Sequence, residues 1–499
     1  MSNLLFGILV VSFSAIGYFF SWKYRTKDNY KIAILLLIVC GLALRVFTSA
    51  DFFLNAWDER YHALVAKNLI LHPFVPTLYE NPLLPYDYKS WVANHIWVHK
   101  QPLPLWGMAL SMWMFGVNEI ALRLPSILLS TAGIYLTFVI GNYFFNKKTG
   151  YLAAFFFSIN GLIIELTAGR VATDHIDIYF LFFVELAIVF SIYFAKKGKM
   201  IFNILAGISI GAAILSKWLP ALIVLPIWLL IVIDTGKFKP KDIITQFVIL
   251  IVTSVIISLP WQIYIYHAFP LEARWEASFN FKHITEALEG RTGPFYYFVN
   301  QVRINYGELI YLPLLWFFWK TFKNTGNKKL LAISIWFLIP FAFFSYANTK
   351  MQAYILFTSP ALFIMTAEFW LMLASYRENH KYKWFFNLIL LLLIALPIRY
   401  SIERIKPFKQ ADRNPKWTNE LKKLNERNIS KGVLFNYDNP IEAMFYTDLT
   451  VYQHIPEPGI INNLQQKGYT ILINDKGNIP ENIKTMRNIN TVYLQSPNP

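Results

Sequence analysis

The 499 residues are 56% hydrophobic and 17% aromatic but only 15% charged, against about 25% charged in an ordinary soluble domain, which excludes a water-soluble globular chain. A formal net charge of +16 would suit nucleic acid on a soluble surface. Here the lysines and arginines gather in short connections between apolar runs, where membrane topology explains them and no nucleic-acid partner is needed. The single cysteine, Cys40, lies inside an apolar run, so exported parts of the chain fold without an intramolecular disulfide.

Apolar runs near the ~20 residues that cross a bilayer recur to about residue 400. In chain order the predicted spans are 4 to 21, 32 to 49, 122 to 141, 151 to 168, 176 to 195, 201 to 216, 219 to 233, 244 to 262, 307 to 319, 330 to 346, 353 to 374 and 384 to 399. Met1 to Phe20 lacks the basic start and small-residue cleavage site of a secretory signal, and reads as a retained span with its N-terminus outside. Prolines near 220, 226 and 360 interrupt some spans, as membrane helices tolerate when neighbours satisfy the freed backbone groups.

The fold class is thus an all-α polytopic membrane domain of about twelve transmembrane helices over 1–400. It carries extracytoplasmic loops and a small extracytoplasmic α/β domain over 401–499. In that last stretch, polar composition and short β-like runs at Gly432 to Asn436, Thr450 to Gln453, Tyr469 to Asn474 and Thr491 to Leu494 replace the apolar pattern. The run Pro104 to Val117 reads as an interfacial or re-entrant helix, because counting it as a span would turn every later basic loop outward.

Alternate connections are short and basic: around Lys23 to Lys27, Asn146 to Lys148, Lys196 to Lys199, Lys237 to Lys241, Lys320 to Lys329 and Arg377 to Lys383. The positive-inside rule places these in the cytoplasm. The remaining connections, with all the unusual polar residues, then share the opposite side.

The first polar cluster is Trp57-Asp58-Glu59-Arg60-Tyr61-His62. Adjacent carboxylates can be an acidic turn that merely starts a helix; alternatively Asp58 accepts the proton of an attacking nucleophile. The second is His95, His99, Lys100 and Gln101 before Pro102, with Trp91 and Trp97 nearby. Lys100 could snorkel in an aromatic belt, or stabilise a phosphate that gains charge as it departs.

Third, Arg170 to Asp177 sits between two apolar helices, where Arg170 either pairs with Asp174 or leaves Asp174 to face a wet cavity. Fourth, Lys217 and Lys350 each stand at an outward helix end. Lys350 and Tyr354, four apart, would share a helix face and could hold one phosphate together, although Tyr354 alone is also an ordinary interfacial anchor. Fifth, Arg291 in Arg291-Thr292-Gly293-Pro294 could reach a lipid headgroup or a donor phosphate. His62, His95, His99 and His283 show no metal-ligand spacing, so no metal site is assigned.

The order of motifs carries a resemblance: Asp58-Glu59, His99-Lys100-Gln101-Pro102-Leu103, Arg123-Leu124-Pro125-Ser126, Thr173-Asp174, Leu215-Ser216-Lys217, Leu259-Pro260-Trp261, Arg291-Thr292-Gly293-Pro294, and Thr349-Lys350 followed by Tyr354-Ile355-Leu356. Over roughly 30 to 400 the chain resembles the C-type-fold membrane glycosyltransferases. It is similar in particular to the dolichyl-phosphate-mannose protein mannosyltransferase family and its bacterial lipid A aminoarabinose transferase branch.

The resemblance implies an enzyme of the plasma (inner) membrane that moves a sugar, with inversion, from a polyprenyl-phosphate donor to a lipid, glycan or protein acceptor on the extracytoplasmic side. Asp58 matches the family's acidic catalytic residue and Glu59 its neighbour, and the two are the expected catalytic pair. Lys100, Lys350 and Tyr354 match places near the donor phosphate, joined by Arg291 from the reading of its own loop. Asp174 matches a cavity carboxylate, and Arg170, His99 and Lys217 complete the expected cavity. No cofactor is required, and dependence on a divalent cation stays open. The chain departs from the pattern at Gln101, where the lysine motif commonly continues with a first of two prolines, and in the span 4 to 21, which precedes the family core. A transporter or flippase of lipid-linked sugars is the alternative, and would need polar residues reachable from both faces; a noncatalytic scaffold with a partner-binding tail is a third.

Overall fold

A computed structural model describes residues 2–496. Its α-helices are, in chain order, α1 (Asn3–Thr26), α2 (Tyr30–Thr48), α3 (Asp58–Leu69), α4 (Pro102–Phe115), α5 (Glu119–Phe144), α6 (Lys147–Ile159), α7 (Gly161–Thr167), α8 (Asp174–Lys197), α9 (Met200–Lys217), α10 (Val224–Asp234), α11 (Pro240–Ala268) and α12 (Pro270–Thr285). They continue with α13 (Tyr297–Tyr306), α14 (Tyr311–Lys323), α15 (Lys328–Tyr346), α16 (Ser359–Glu378), α17 (Lys383–Ile405), α18 (Lys416–Asn425), α19 (Pro440–Tyr446), α20 (Pro458–Gln466) and α21 (Glu481–Lys484). Four strands, β1 (Gly432–Phe435), β2 (Thr450–Val451), β3 (Thr470–Asn474) and β4 (Ile489–Val492), lie among the last helices.

Among the described residues nine helices are long and apolar enough to cross a membrane: α1, α2, α5, α8, α9, α11, α15, α17 and the stretch Leu356–Glu378 that contains α16. The protein is therefore a multi-pass membrane protein. Three expected spans take other forms. The stretch 151 to 168 is the pair α6 and α7, bent by 53°, because Asn160 adopts an extended backbone, caps α7 by accepting the Ile163 N–H, and donates its own amide to the Asn305 carbonyl at 2.9 Å. Counting that pair raises the number to ten.

The stretch 219 to 233 is a short 3₁₀ turn running into the 11-residue α10, cut off from α9 by Trp218, whose φ of +68° is left-handed, with Pro220 in its first turn. The stretch 307 to 319 opens at Gly307, whose φ of +101° is left-handed, before the 13-residue α14. Helix α4 has 14 residues, fewer than the ~20 a span needs.

The described residues form two compact units, one of residues 2–49, Lys100–Pro104 and Arg123–Gln410, the other of Ala50–His99, Leu105–Leu122 and 411–496. The first unit buries a continuous core that includes Phe157, Phe180, Trp228, Trp336 and Phe363, while apolar side chains such as Ile244, Val248 and Ile256 of α11 stay exposed, as a lipid-facing surface requires. Helices α9 and α11 pack closely because Gly207 and Gly211 lack side chains. A Cβ on Gly211 would stand 2.6 Å from Ile257 Cβ, and one on Gly207 2.7 Å from Thr253 Cβ, the small-residue packing that lets membrane helices touch.

The second unit contains a sheet in the order β2-β1-β3-β4 with every pair parallel. Val433, Phe435, Ile471 and Ile473 face one side with Ile461, Leu464 and Ile483 of α20 and α21. Leu434 and Leu472 share the opposite cluster with α18 and α19, and with Tyr61, Leu64 and Val65 of α3. Near-continuous apolar strands covered on both faces are what a parallel sheet demands. The β-like runs predicted from the sequence coincide with these strands to within two residues.

Candidate functional site

In the second unit, Asp58 and Glu59 form the acidic first turn of α3, where carboxylates meet the positive end of the helix dipole. Their environments differ. Asp58 is half-buried, whereas Glu59 is fully buried and accepts both the backbone N–H and the side-chain amide of Asn55, each at 2.7 Å. Glu59 thus folds back to secure the approach to the helix and leaves Asp58 as the more accessible carboxylate.

Farther along the same unit, the His95 ring nitrogen Nδ1 is 2.6 Å from the Tyr79 carbonyl. His99 stacks on Trp91 at 5.3 Å and meets Trp97 edge-on at 5.5 Å, so the histidines build an aromatic wall. Among the described residues no three His, Cys, Asp or Glu side chains gather as a metal site would require.

In the first unit, Lys100 is half-buried before α4. The adjoining Gln101 is buried and accepts the side-chain amide of Gln262 at 2.8 Å. Thr173 and Asp174 enter α8 with φ of +70° and +32°, left-handed values that cost energy for residues with side chains and concentrate at functional sites. Asp174 and His175 are fully buried there. Arg170 donates to the Ile405 carbonyl at 3.2 Å.

One turn into α8, the Asp177 carboxylate accepts from the Thr173 hydroxyl and from the Lys217 ammonium. That ammonium, at the end of α9, also stands 5.1 Å from the centroid of the Tyr354 ring. Asp177 is 2% exposed at its side chain and Lys217 17%, so this cation is largely desolvated and held between a carboxylate and a π face.

Lys350 and Tyr354, expected on one helical face, do not share a helix. Residues 347–355 form bends and turns, with no α-helix to set that spacing. The Lys350 ammonium instead turns back to the end of α15, donating to the Ser345 carbonyl at 2.9 Å and to the Ala347 carbonyl, a favourable place for a cation. Burial lowers the Lys350 ammonium below the usual lysine pKa.

Backbone bonds instead join Lys350 to Arg291. The Lys350 N–H donates to the Arg291 carbonyl at 2.9 Å, and the Asn348 and Thr349 N–H groups donate to the carbonyls of Ile284 and His283 at 3.1 and 3.0 Å. These bonds lace the 283–291 loop to the 348–350 turn.

Sequence reasoning passed over two groups. Asp177 follows Asp174 by one helical turn, and a carboxylate at that depth needs a cationic partner; Lys217 at the end of the next helix was the available signal. The second is Arg404, which pairs with Glu165 and donates to Asn305 at 2.8 Å and to Gln352 at 3.3 Å. A glutamate in an apolar run such as Glu165 was the corresponding clue.

A family model described as dolichyl-phosphate-mannose-protein mannosyltransferase matches residues 99–263. An undecaprenyl phosphate-alpha-4-amino-4-deoxy-L-arabinose arabinosyl transferase of Pseudomonas fluorescens is 22% identical over 284 residues, covering 54% of this chain and 48% of its own. The chain thus spans about half the length of the curated relatives it matches. Among solved structures, ArnT from Cupriavidus metallidurans bound to undecaprenyl phosphate superposes with a TM-score of 0.59 at 15% identity over 87% of this chain and 88% of that one. The oligosaccharyltransferase AglB from Archaeoglobus fulgidus, in complex with an inhibitory peptide and a dolichol-phosphate, does so with 0.54 at 14% identity over 84% and 64%. The resemblance read from the motifs therefore holds: residues 99–263 match the dolichyl-phosphate-mannose-protein mannosyltransferase model, and the described chain has the fold of the membrane glycosyltransferases ArnT and AglB.

Proposed function

We propose that this chain is a membrane glycosyltransferase that moves a sugar, with inversion, from a polyprenyl-phosphate donor to a lipid, glycan or protein acceptor. The observation that carries the reading is the Lys217 ammonium at a span end, clamped by Asp177 and overlooking Tyr354. A preorganised, poorly hydrated cation of this kind suits a lipid phosphate that gains charge as its sugar departs. Relatives whose names specify undecaprenyl-phosphate-linked aminoarabinose, and a related fold solved with undecaprenyl phosphate, support a donor of that class.

In this mechanism Asp58 orients the acceptor hydroxyl or amine and takes its proton as the new bond forms at the anomeric carbon. The bond to the phosphate oxygen breaks at the same time, and the electron pair leaves with the lipid phosphate. Lys217 and Tyr354 stabilise that phosphate, with Lys100 and Arg291 as further cations for it; Asp174 and Arg170, and separately His99, are candidate substrate contacts. Lys350 contributes as a cation only if it leaves the end of α15. Catalysis is then positioning plus charge stabilisation.

The reading includes twelve membrane-embedded segments, counting the bent pair α6 and α7 and the short α10 and α14 stretches, in the inner membrane. The short basic connections face the cytoplasm, and the site and the α/β region from 401 face outward; the alternation of basic and non-basic connections supports this orientation. The test is transfer of radiolabel from polyprenyl-phosphate sugars to extracted membrane lipids, glycans and proteins in proteoliposomes. Label moving to one acceptor class supports the transferase and names its substrate. Label that only crosses the bilayer on its carrier contradicts it in favour of a transporter.

A further inference from the structure

The carboxylate assigned as proton acceptor sits just after a segment that has no regular structure of its own. Between Ser49 and Asp58 the chain forms bends, turns and irregular backbone, so contacts from other segments add to the Glu59–Asn55 bonds and the first turn of α3 in placing Asp58. Within the second unit, each side of Asp58 is held by residues from the region after Ala411.

Before Asp58, the Phe52 N–H donates to the Arg413 carbonyl at 2.7 Å, and the Asp51 carboxylate lies 3.5 Å from the Arg413 guanidinium. The Tyr446 hydroxyl then accepts the Leu54 N–H at 3.0 Å and donates to the buried Glu119 carboxylate at 2.8 Å. Because that hydroxyl serves as acceptor and donor at once, its direction is set from two sides. Lys422 fixes the other end of the relay, 3.2 Å from Glu119.

After Asp58, Arg60 donates to Glu442 at 3.1 Å; Glu442 is only 2% exposed. About two helical turns later, Lys67 donates to the Met444, Phe445 and Thr447 carbonyls at 2.9, 3.2 and 2.8 Å, joining the end of α3 to the end of α19. Helix α19 therefore touches the Asp58 segment at Leu54, Arg60 and Lys67, and its apolar face shares one buried cluster with Tyr61, Leu64 and Val65.

We infer that α19, braced by its parallel sheet, is a positioning platform for the catalytic base, with Tyr446 and Glu442 as positioning residues that set the aim of Asp58 without touching substrate. Two short clamps straddle the residue, one on each side. Neither requires the sheet region to bind a ligand of its own. The inference rests on Asp58 being the proton acceptor, and it gives the polar C-terminal region a role in turnover. A misplacement of about 1 Å at a reacting group can cost on the order of 100-fold in rate, so modest loosening of either clamp has a kinetic signature.

The test uses the full chain in proteoliposomes with a radiolabelled polyprenyl-phosphate sugar, comparing Tyr446→Phe, Glu442→Gln and Asp58→Asn. Tyr446→Phe removes one hydroxyl and keeps the ring, which lies 5.9 Å from the Trp417 ring. Expected are falls in kcat of roughly 10-fold or more for Tyr446→Phe and Glu442→Gln, with KM for the donor and donor binding within about twofold of native. Arg60→Lys, which keeps the charge opposite Glu442, should recover part of the turnover lost in Arg60→Ala.

Native kcat in both folded clamp variants overturns the platform, as does a parallel loss of kcat, donor binding and thermal stability, which would mark general damage. Failure of the underlying reading looks different: Asp58→Asn would itself retain native turnover. Asp58→Asn inactive beside fully active clamp variants refutes the platform alone.

Discussion

Lys217 and Asp177 form an ion pair between the end of α9 and the start of α8, with the Tyr354 ring centroid 5.1 Å from the same ammonium. The partners' low side-chain exposure, 17% for Lys217 and 2% for Asp177, makes the pair sensitive to loss of one member. Asp177→Ala leaves a poorly hydrated cation and is expected to destabilise the fold by about 3 kcal/mol, read by thermal unfolding in detergent. The double variant Asp177→Leu, Lys217→Met should regain most of that stability while losing donor affinity. Stability that is unchanged in Asp177→Ala would show that solvent or lipid phosphate already satisfies Lys217.

Lys350 gives a prediction in pH. Burial lowers its pKa in the folded protein, so over the window between that lowered value and about 10.4, the ordinary lysine value, the unfolded chain binds more protons than the folded one. Stability attributable to this residue therefore rises as pH climbs through that window. Lys350→Met should flatten this component of the unfolding profile. Any contribution of Lys350 to donor phosphate binding runs in the opposite direction, fading as the ammonium is neutralised, so donor affinity measured against pH in native and Lys350→Met protein separates the helix-end role from the phosphate role.

Gly211 tests the packing of the membrane core. A Cβ there would lie 2.6 Å from Ile257 Cβ and 2.9 Å from the Ser254 carbonyl oxygen, so Gly211→Leu must push α9 away from α11. Overpacking of this kind costs roughly 1–3 kcal/mol. Because Lys217 ends the same helix, lowered thermal stability should come with weakened donor binding; a variant with native stability and affinity would show that the two helices part without consequence.

The spans were legible because lipid imposes length and apolarity on every crossing segment, and the four β-like runs were legible because buried parallel strands are continuously apolar. Pairing is another matter. Nothing local in Gly432–Phe435 or Thr470–Asn474 announces that they lie side by side with β2 and β4 outside them. The bend at Asn160 depends on an amide from one helix meeting a carbonyl at Asn305, a contact 145 residues away in sequence.

At the candidate site, composition and spacing singled out Asp58, Lys217 and Tyr354, yet they did not reveal Asp177 as the partner of Lys217. The Lys350 and Tyr354 reading assumed a helix where the chain makes turns, and the helix-end carbonyls of Ser345 and Ala347 claimed the lysine. The inward turn of Glu59 toward Asn55 was equally invisible in a run of adjacent acids.

Glu59 is expected to act through structure. Glu59→Gln keeps an acceptor for Asn55 and should retain most turnover, whereas Glu59→Ala frees the Asn55 N–H groups, leaves a buried gap and lowers both stability and kcat. Unfolding and transfer measured on the same preparations decide this, and equal inactivity of both variants without loss of stability would instead assign Glu59 to the chemistry.

The most direct measurement is transfer of label from a polyprenyl-phosphate sugar by native protein and by Asp58→Asn in proteoliposomes, with donor binding measured in parallel. The account predicts that native protein transfers label to a defined acceptor, while Asp58→Asn binds donor normally and loses turnover by roughly 100-fold or more, within the 10²–10⁴ that a general base supplies. Native turnover in Asp58→Asn, or label that reaches the far side of the bilayer still attached to its carrier with both proteins, would contradict it.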